Sequence, residues 1–429
     1  LGEAVKRIRT GNVIRRAGFD GEFGVIKVFD EGELQRLLGQ FSLFKPDKKE
    51  KKPDIPPKLS GLDFNMTKKE KPAERSEKSL NDEQRAAVAA SGHHIVVTAG
   101  PGTGKTHTLV TRIERLLQDS SVNPQVIAAI TFTNRAAEQM RERLSAMPGI
   151  DVEQLFIGTF HAFCLGLLRQ KDKELTVVGE DQCHKIMKRL FHALSPADLK
   201  KLKQELESHY HHFAERAGEN AEEAATHRVR AYLHELDLRH GIDLDGVIPH
   251  VVQRLKTDYD FLQRTSAALK YLFIDEFQDL NRSQYELVRI LAQKSSVFAI
   301  GDPDQAIYGF RGSSPEFFHL FINEFNAETI SLVRNYRSAT RILEAAAAVI
   351  AHNHGTETKH SAKLIPEHAE PGAIEMYQAV SPQAEAEFIV QRIEELMGVI
   401  SHFSINSGRG SKDEYTAARS FKDFAILYR

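Results

Sequence analysis

The sequence predicts an α/β fold, a parallel sheet wound with helices on both faces and interrupted by an all-helical insertion. Two observations predict it. From Leu80 onward, short apolar, β-branched runs alternate with amphipathic helical patterns, as when crossover helices join parallel strands. Between about 166 and 268 the strand-like runs cease and the chain becomes helical and strongly charged. That stretch is too long for a single crossover. The length of 429 residues allows two or three domains at ~100–200 residues each.

In chain order, residues 1–44 read as a small α+β segment. The turn-rich GFDGEFGVIKVF (18–29) leads into a strand, and EGELQRLLGQF (31–41) forms a short helix. Residues 45–79 are rich in Lys, Pro and Glu. With so few apolar side chains they cannot offset the entropy of ordering, and they read as a linker. The core follows over 80–165 and 269–345. Its strands are expected at 93–99, 125–132, 155–160, 271–277, 297–302 and 329–333, with helices at 105–119 and 134–147. The helical insertion occupies 166–268. Residues 346–429 read as the start of a truncated second core, with strand-like runs at AIEMYQA (373–379) and DFAILYR (423–429). No internal repeat is visible.

Composition narrows the function classes. Lys and Arg total 57 against 59 Asp and Glu, for a net charge of −2, so nucleic-acid binding would need a local basic stripe. Cys164 and Cys183 are the only cysteines, too few for a disulfide scaffold or a four-cysteine metal site. No apolar run reaches the ~18 residues that span a bilayer, and LGEAVKRIRTG has no signal-peptide core. The composition reads as cytoplasmic. The first residue is not Met, so the chain is expected to start inside a longer reading frame.

The strongest motif is AGPGTGKT, Ala99 to Thr106, between an apolar strand and a helix. Ala99 stands where the P-loop pattern has its first glycine. Gly100, Gly102, Thr103 and Gly104 are candidate phosphate binders, their region offering backbone N–H groups at a helix N-terminus. Lys105 suits the β- and γ-oxygens of ATP, and the Thr106 hydroxyl suits Mg²⁺. Downstream, YLFIDEFQD ends an apolar run in Asp275 and Glu276, at the strand edge where open α/β sheets bind ligands. Asp275 suits a Mg²⁺ contact, and Glu276 the base that orients and deprotonates the attacking water.

A third element, AIGDPDQAIYGFRGS (299–313), sets Gln305 to sense a γ-phosphate, with Tyr308 and Phe310 just beyond to stack on bases. In a fourth, LVRNYRSATRI (332–342), Tyr336 is placed to stack on adenine and Arg337 to serve as an arginine finger in cis. Gln84, in LNDEQRAAV, reads equally well as an adenine-reading amide or as the partner of Asn81 in a helix capping box.

In this order and spacing the chain resembles the UvrD/Rep-like superfamily 1 DNA helicases over roughly residues 80–429. LNDEQ is similar to the family's Q motif, AGPGTGKT to motif I and ITFTNRAAEQM to motif Ia. GTFHAFC is similar to motif Ib, IDEFQD to motif II, GDPDQAIYGFRG to motif III and NYRS to motif IV. The insertion carrying GIDLDGVIP resembles the family's inserted helical subdomain. The resemblance implies a RecA-like core that hydrolyses ATP with Mg²⁺ and steps along single-stranded DNA, 3′ to 5′. It also implies action at single/double-strand junctions. Carried over residue by residue, it places Gln84, Lys105, Thr106, Asp275, Glu276, Gln305, Tyr336 and Arg337 in the ATP site. His107 stands on the adenine side, where the family often has Arg. Phe132, Thr159, His161, Tyr308 and Phe310 fall where the family contacts DNA. Phe132 also reads as a buried strand residue, and His161 as a helix cap.

The family's second core is expected to be missing beyond its first strand, which would make this chain an N-terminal fragment, weak in hydrolysis and unable to unwind DNA alone. A nucleotide-dependent single-strand-binding module without unwinding activity is the alternative reading. A small-molecule P-loop kinase is a third. GFDGEFGVIKVF resembles the C-terminal end of PHP-type nucleases related to endonuclease Q, which implies an upstream nuclease-like module as a partner in the parent chain. The tract of His209, His211 and His212 lies on a charged helix with no cysteine nearby and reads as solvated.

Overall fold

The computed structural model describes residues 80–147, 149–192, 195–215, 226–309, 312–352, 363–368, 370–397 and 419–427, together with two short strands near the N-terminus. These strands, β1 (Ile14–Arg16) and β2 (Val25–Lys27), pair antiparallel. The helix expected at 31–41 and the linker expected at 45–79 lie outside the described residues.

Two compact units form, one of which takes in residues 72–374. It opens with α1 (Asp82–Ala89), whose first turn is closed by a capping box between Asn81 and Gln84. Strand β3 (His94–Ala99) runs through the glycine-rich turn into α2 (Lys105–Gln118). Then come β4 (Ile127–Thr131), α3 (Asn134–Ser145), β5 (Phe156–Thr159) and α4 (Phe160–Arg169). The insertion contains β6 (Thr176–Val178), α5 (Glu180–Leu190), α6 (Pro196–Glu215), α7 (His227–Asp237), β7 (Gly241–Asp243), α8 (Leu244–Thr257) and α9 (Tyr259–Ala268). The core resumes with β8 (Tyr271–Ile274), α10 (Arg282–Ala292), β9 (Ser296–Gly301), α11 (Glu316–Phe325) and β10 (Glu328–Leu332). It is followed by β11 (Arg334–Asn335), α12 (Thr340–Ile350) and β12 (Ile365–Pro366).

The six expected core strands form one sheet in the order β10-β3-β9-β8-β4-β5, every neighbouring pair parallel. Side-chain alternation divides the apolar strand residues between two layers. Ile95, Val97, Ile127, Phe273, Phe298 and Ile300 pack with Leu109 and Ile113 of α2 and Met140 and Leu144 of α3. Val96, Ile130, Leu272, Ile274 and Val297 pack with α4, α8, α10 and α11 through Phe163, Val251, Leu287 and Phe321. Each such side chain contributes ~1.5–3 kcal/mol on burial, so the sheet is held from both sides.

The insertion has its own core of Ile186, Met187, Leu202, Tyr232 and Leu236. It is helical except for β6 and β7, a three-residue parallel pair too short for hydrophobic periodicity to reveal. In the other unit, α13 (Pro382–Leu396) begins at Ser381, whose hydroxyl accepts the Ala384 N–H. The strands expected at 373–379 and 423–429 do not form among the described residues. Met376 is 97% exposed and Leu427 95%; among the described residues no strand pairs with either run, and Tyr377 stacks on Phe388 of α13 instead.

Candidate nucleotide-binding site

The parallel register brings the carboxyl ends of β3, β9 and β8 to one edge of the sheet, and the site is built there. Gly102 (φ +69°) and Gly104 (φ +87°) supply the left-handed turns of the loop. All five carbonyls from Gly100 to Gly104 are occupied. Gly100 accepts the Thr103 hydroxyl at 2.8 Å and Pro101 accepts Asn335 Nδ2. Gly102 accepts the Tyr336 N–H at 2.9 Å, Thr103 accepts Gln84 Nε2 at 2.9 Å, and Gly104 accepts the Thr108 N–H at 2.9 Å. With the carbonyls tied elsewhere, the loop's N–H groups and the N-terminus of α2 form a positive nest suited to phosphate.

Lys105 Nζ lies 3.5 Å from Glu276 Oε2. The Thr106 hydroxyl donates to Asp275 Oδ2 at 3.3 Å. Glu276 has a left-handed backbone, φ +52°, unusual for a residue with a Cβ. Its N–H donates to Asp275 Oδ1 at 3.0 Å. The Asp275 carboxyl is pushed up to about 6, first by burial and then by the neighbouring Glu276 charge. Burial and Glu276 likewise push Asp279 to about 6, and its buried Oδ1 has no hydrogen-bond partner among the described residues. The hydroxyl–carboxylate pair of Thr106 and Asp275 offers hard oxygen ligands of the kind Mg²⁺ takes. The buried charge on Asp275 is one a cation would neutralise.

This gives a stability prediction. An unfolded aspartate titrates near 3.9, so between there and pH 6 the folded chain holds a proton that the unfolded chain releases. The raised group's contribution is full below about pH 4 and lost as pH rises through about 6. Roughly two units correspond to ~3 kcal/mol. Metal-free Asp275→Asn is therefore expected to melt higher than the parent chain at pH 7.5, the difference closing as pH falls towards 4. Equal melting temperatures at pH 7.5 would refute it.

Gln84 takes the capping-box role and also braces the phosphate loop. Its Oε1 accepts the Asn81 N–H and its N–H donates to Asn81 Oδ1, closing the capping box, while Nε2 reaches the loop. Asn81 Nδ2 donates to the Tyr336 hydroxyl at 2.8 Å, so α1 holds that ring beside the loop. A Cβ at Gly102 would stand 2.6 Å from Arg337 Cβ, which places the root of the expected arginine finger against the P-loop. His107 lies half-buried in the first turn of α2. Gln305 Nε2 donates to Asp302 Oδ2.

Of the expected DNA-contacting residues, Phe132 and Thr159 sit at the carboxyl ends of β4 and β5, along the same sheet edge. Phe132 falls just past β4, half-buried rather than inside the strand, and stacks on Tyr308 with ring centroids 5.0 Å apart. Thr159, buried at the end of β5, is the N-cap of α4, and His161 lies in the first turn without being the cap. Phe310 lies outside the described residues.

Sequence reasoning missed the residues that hold the site together. Asn335 is 0% exposed. Besides donating to the Pro101 carbonyl, it accepts through Oδ1 the N–H groups of Arg337 and Ser338 at 2.9 and 2.7 Å. Glu83 accepts the Val333 N–H at 2.7 Å. Gln278 joins Glu276 to the backbone of Asp302. The available signal was polar residues set directly against apolar strands, but their partners are remote in sequence.

Comparison with known proteins identifies the family. Residues 80–326 match the UvrD/REP helicase N-terminal domain, and residues 330–429 match the UvrD-like helicase C-terminal domain. The second match corrects the expectation that the second core is missing beyond its first strand, since the C-terminal domain is represented here and its match starts within β10. The chain is similar to the ATP-dependent DNA helicase PcrA of Leuconostoc citreum, 33% identical over 369 residues, 82% of this chain and 47% of the relative. It is similar to DNA helicase II of Escherichia coli K12, 35% identical over 334 residues, 73% of this chain and 46% of the relative. It is also 30% identical over 375 residues to the PcrA helicase of a Staphylococcus epidermidis strain, 82% of this chain and 48% of that one. The chain thus spans about half the length of the curated relatives it matches. No described helix is long and apolar enough to cross a membrane. With an N-terminal-domain match covering more than half of its residues and a C-terminal-domain match following directly, the chain belongs to the UvrD/REP helicase family.

Proposed function

We propose that this chain contains the ATP-hydrolysing motor of a cytoplasmic DNA helicase of the UvrD type, coupling Mg²⁺-ATP hydrolysis to 3′-to-5′ movement on single-stranded DNA and at single/double-strand junctions. The observation that carries the reading is the meeting of Lys105, Thr106, Asp275 and Glu276 at one sheet edge, below a loop whose carbonyls are all tied elsewhere. The relatives' names support the use of ATP and DNA.

The residues divide the work. Amides of 102–105 and the Lys105 ammonium hold the phosphates and take up charge developing on the β- and γ-oxygens. Glu276 orients the attacking water and accepts its proton. Mg²⁺, held by Thr106 and Asp275, would neutralise the β- and γ-oxygens when bound. Arg337 lies beside the loop to meet the transferring phosphoryl group, while Gln84 and the Tyr336 ring face the base. The stacked pair Phe132 and Tyr308 supplies aromatic faces for unpaired bases, at ~1–3 kcal/mol per base stacked. An upstream nuclease-like module remains part of the proposal only through the resemblance at residues 18–29.

The test is steady-state hydrolysis with and without a single-stranded oligonucleotide. Single-strand stimulation is expected, and Lys105→Ala should lower kcat by ~10²–10³-fold, the scale on which losing one preorganised donor slows charge-developing steps. DNA binding that responds to nucleotide without stimulated turnover would instead favour a clamp. Hydrolysis indifferent to both DNA and Lys105→Ala would overturn the reading.

A further inference from the structure

Gln278 lies outside the phosphate loop, yet both ends of its amide are engaged and it is only 2% exposed. Its Nε2 donates to Glu276 Oε2 at 2.9 Å, and its Oε1 accepts the Asp302 N–H at 2.9 Å. Chemistry fixes that orientation, because a carboxylate only accepts and a backbone N–H only donates. Asp302 in turn accepts Gln305 Nε2 through its Oδ2 and the Asp304 N–H through its Oδ1 at 3.1 Å. A continuous polar chain therefore runs from Lys105 through Glu276, Gln278 and Asp302 to Gln305, across the ends of β8 and β9.

Packing leaves this chain little slack. A Cβ at Gly301, the last residue of β9, would overlap Gln278 Oε1 and stand 2.9 Å from the Phe277 N–H nitrogen. Between Glu276 and Gln278, the fully buried Phe277 ring packs edge-on against Phe318 and Phe321 of α11, at 5.4 and 5.5 Å. The backbone between the two polar side chains is thus anchored in the core, and the amide is the link left to relate Glu276 to β9.

We propose that Gln278 is a positioning residue that locks the Glu276 carboxylate to the loop carrying Gln305, so that water is activated only when that loop is seated. The proposal rests on the reading above of Glu276 as base and Gln305 as γ-phosphate sensor. A purely structural amide would instead lower stability without a selective effect on turnover.

The test measures kcat and KM for Mg²⁺-ATP in the full chain with an oligothymidine strand, alongside the affinity for a non-hydrolysable ATP analogue and a melting curve. Gln278→Met keeps the volume and removes both bonds. Gln278→Glu keeps an acceptor for Asp302 but sets a like charge against Glu276. Both are expected to lower kcat by roughly 10–100-fold with KM and analogue affinity within about threefold, the signature of a loss confined to the transition state. Gln278→Met combined with Gln305→Ala should fall no further than the worse single variant, as expected of groups acting as one unit. Unchanged kcat in Gln278→Glu, a rise in KM in place of the fall in kcat, or losses that multiply would each overturn the proposal. If Gln278→Met does not fold, Gln278→Glu carries the test alone. Glu276→Gln in the same assay separates the two ideas. Wild-type turnover there overturns the reading of the base, whereas loss there with wild-type turnover in Gln278→Glu overturns only the role of Gln278.

Discussion

Glu276→Gln should reduce kcat for ATP hydrolysis by about 10²–10⁴-fold, the range by which a positioned general base accelerates proton transfer, while nucleotide still binds. The substitution keeps the volume and leaves an amide oxygen for Gln278 Nε2, so the network behind the site can persist. What it removes is the capacity to take a proton from water, together with the charge facing Lys105 at 3.5 Å. Loss of that charge should hold or tighten nucleotide binding, since the ammonium is then released to the phosphates. The carboxylate is presented from a left-handed backbone position held by the Asp275 acceptor and the buried Phe277. Neither of those anchors is touched by the change. Turnover within tenfold of the parent would remove Glu276 from the role of base.

Asp243→Ala is expected to cost about 3–5 kcal/mol of stability, from two stranded buried hydroxyls at ~1–3 kcal/mol each and a lost N-cap at ~1 kcal/mol. Asp243 is buried at the N-cap of α8. Its Oδ1 accepts the Tyr210 hydroxyl at 2.8 Å and the Gly246 N–H at 2.8 Å, and its Oδ2 accepts the Tyr232 hydroxyl at 3.0 Å. One carboxylate therefore ties α6, α7 and α8 together. Burial raises its pKa, and the hydrogen bonds from Tyr210, Gly246 and Tyr232 work against that rise. Truncation would strand two buried hydroxyls and an uncapped helix N-terminus. Gly246 is fitted to the same network, because a Cβ there would stand 2.7 Å from both Asp243 Oδ1 and the Tyr210 hydroxyl. Asp243→Asn, which keeps one acceptor, should lose less. Denaturant unfolding of both variants checks this, and a loss under about 1 kcal/mol for the alanine variant would be that of an ordinary neutral hydrogen bond and would sink the argument.

Much of the core was legible because burial on both faces writes itself into a strand. HIVVTA, IAAIT and SVFAIG are apolar almost throughout, and each lies where it was expected. The carboxylates and the glycine-rich turn were legible for a related reason, being polar or glycine residues at the ends of such runs. Partnerships were not legible. Nothing near Asn335 in sequence says that it will meet Pro101, and nothing in DEFQD says that Gln278 will face the β9 backbone rather than solvent. Such bonds depend on strand order, which local pattern does not encode. The run at 373–379 failed for the converse reason, since its apolar alternation matches a strand in pattern but has no strand among the described residues to pair with. Gln84 shows a third limit. Spacing alone could not say where its amide would go: the oxygen closes the capping box, as one reading had it, while the nitrogen donates to the remote Thr103 carbonyl.

The five tied carbonyls from Gly100 to Gly104 bear on when the phosphate loop takes up its shape. Fixing a residue's backbone costs about 1–2 kcal/mol, so a five-residue loop that ordered only around its ligand would forfeit roughly 5–10 kcal/mol. A micromolar complex is worth only about 8 kcal/mol. Here Asn335, Tyr336 and Gln84 complete the loop through contacts within the folded chain, and that entropy is surrendered during folding. Product can then leave without the loop melting behind it, and the next nucleotide meets a cradle already formed.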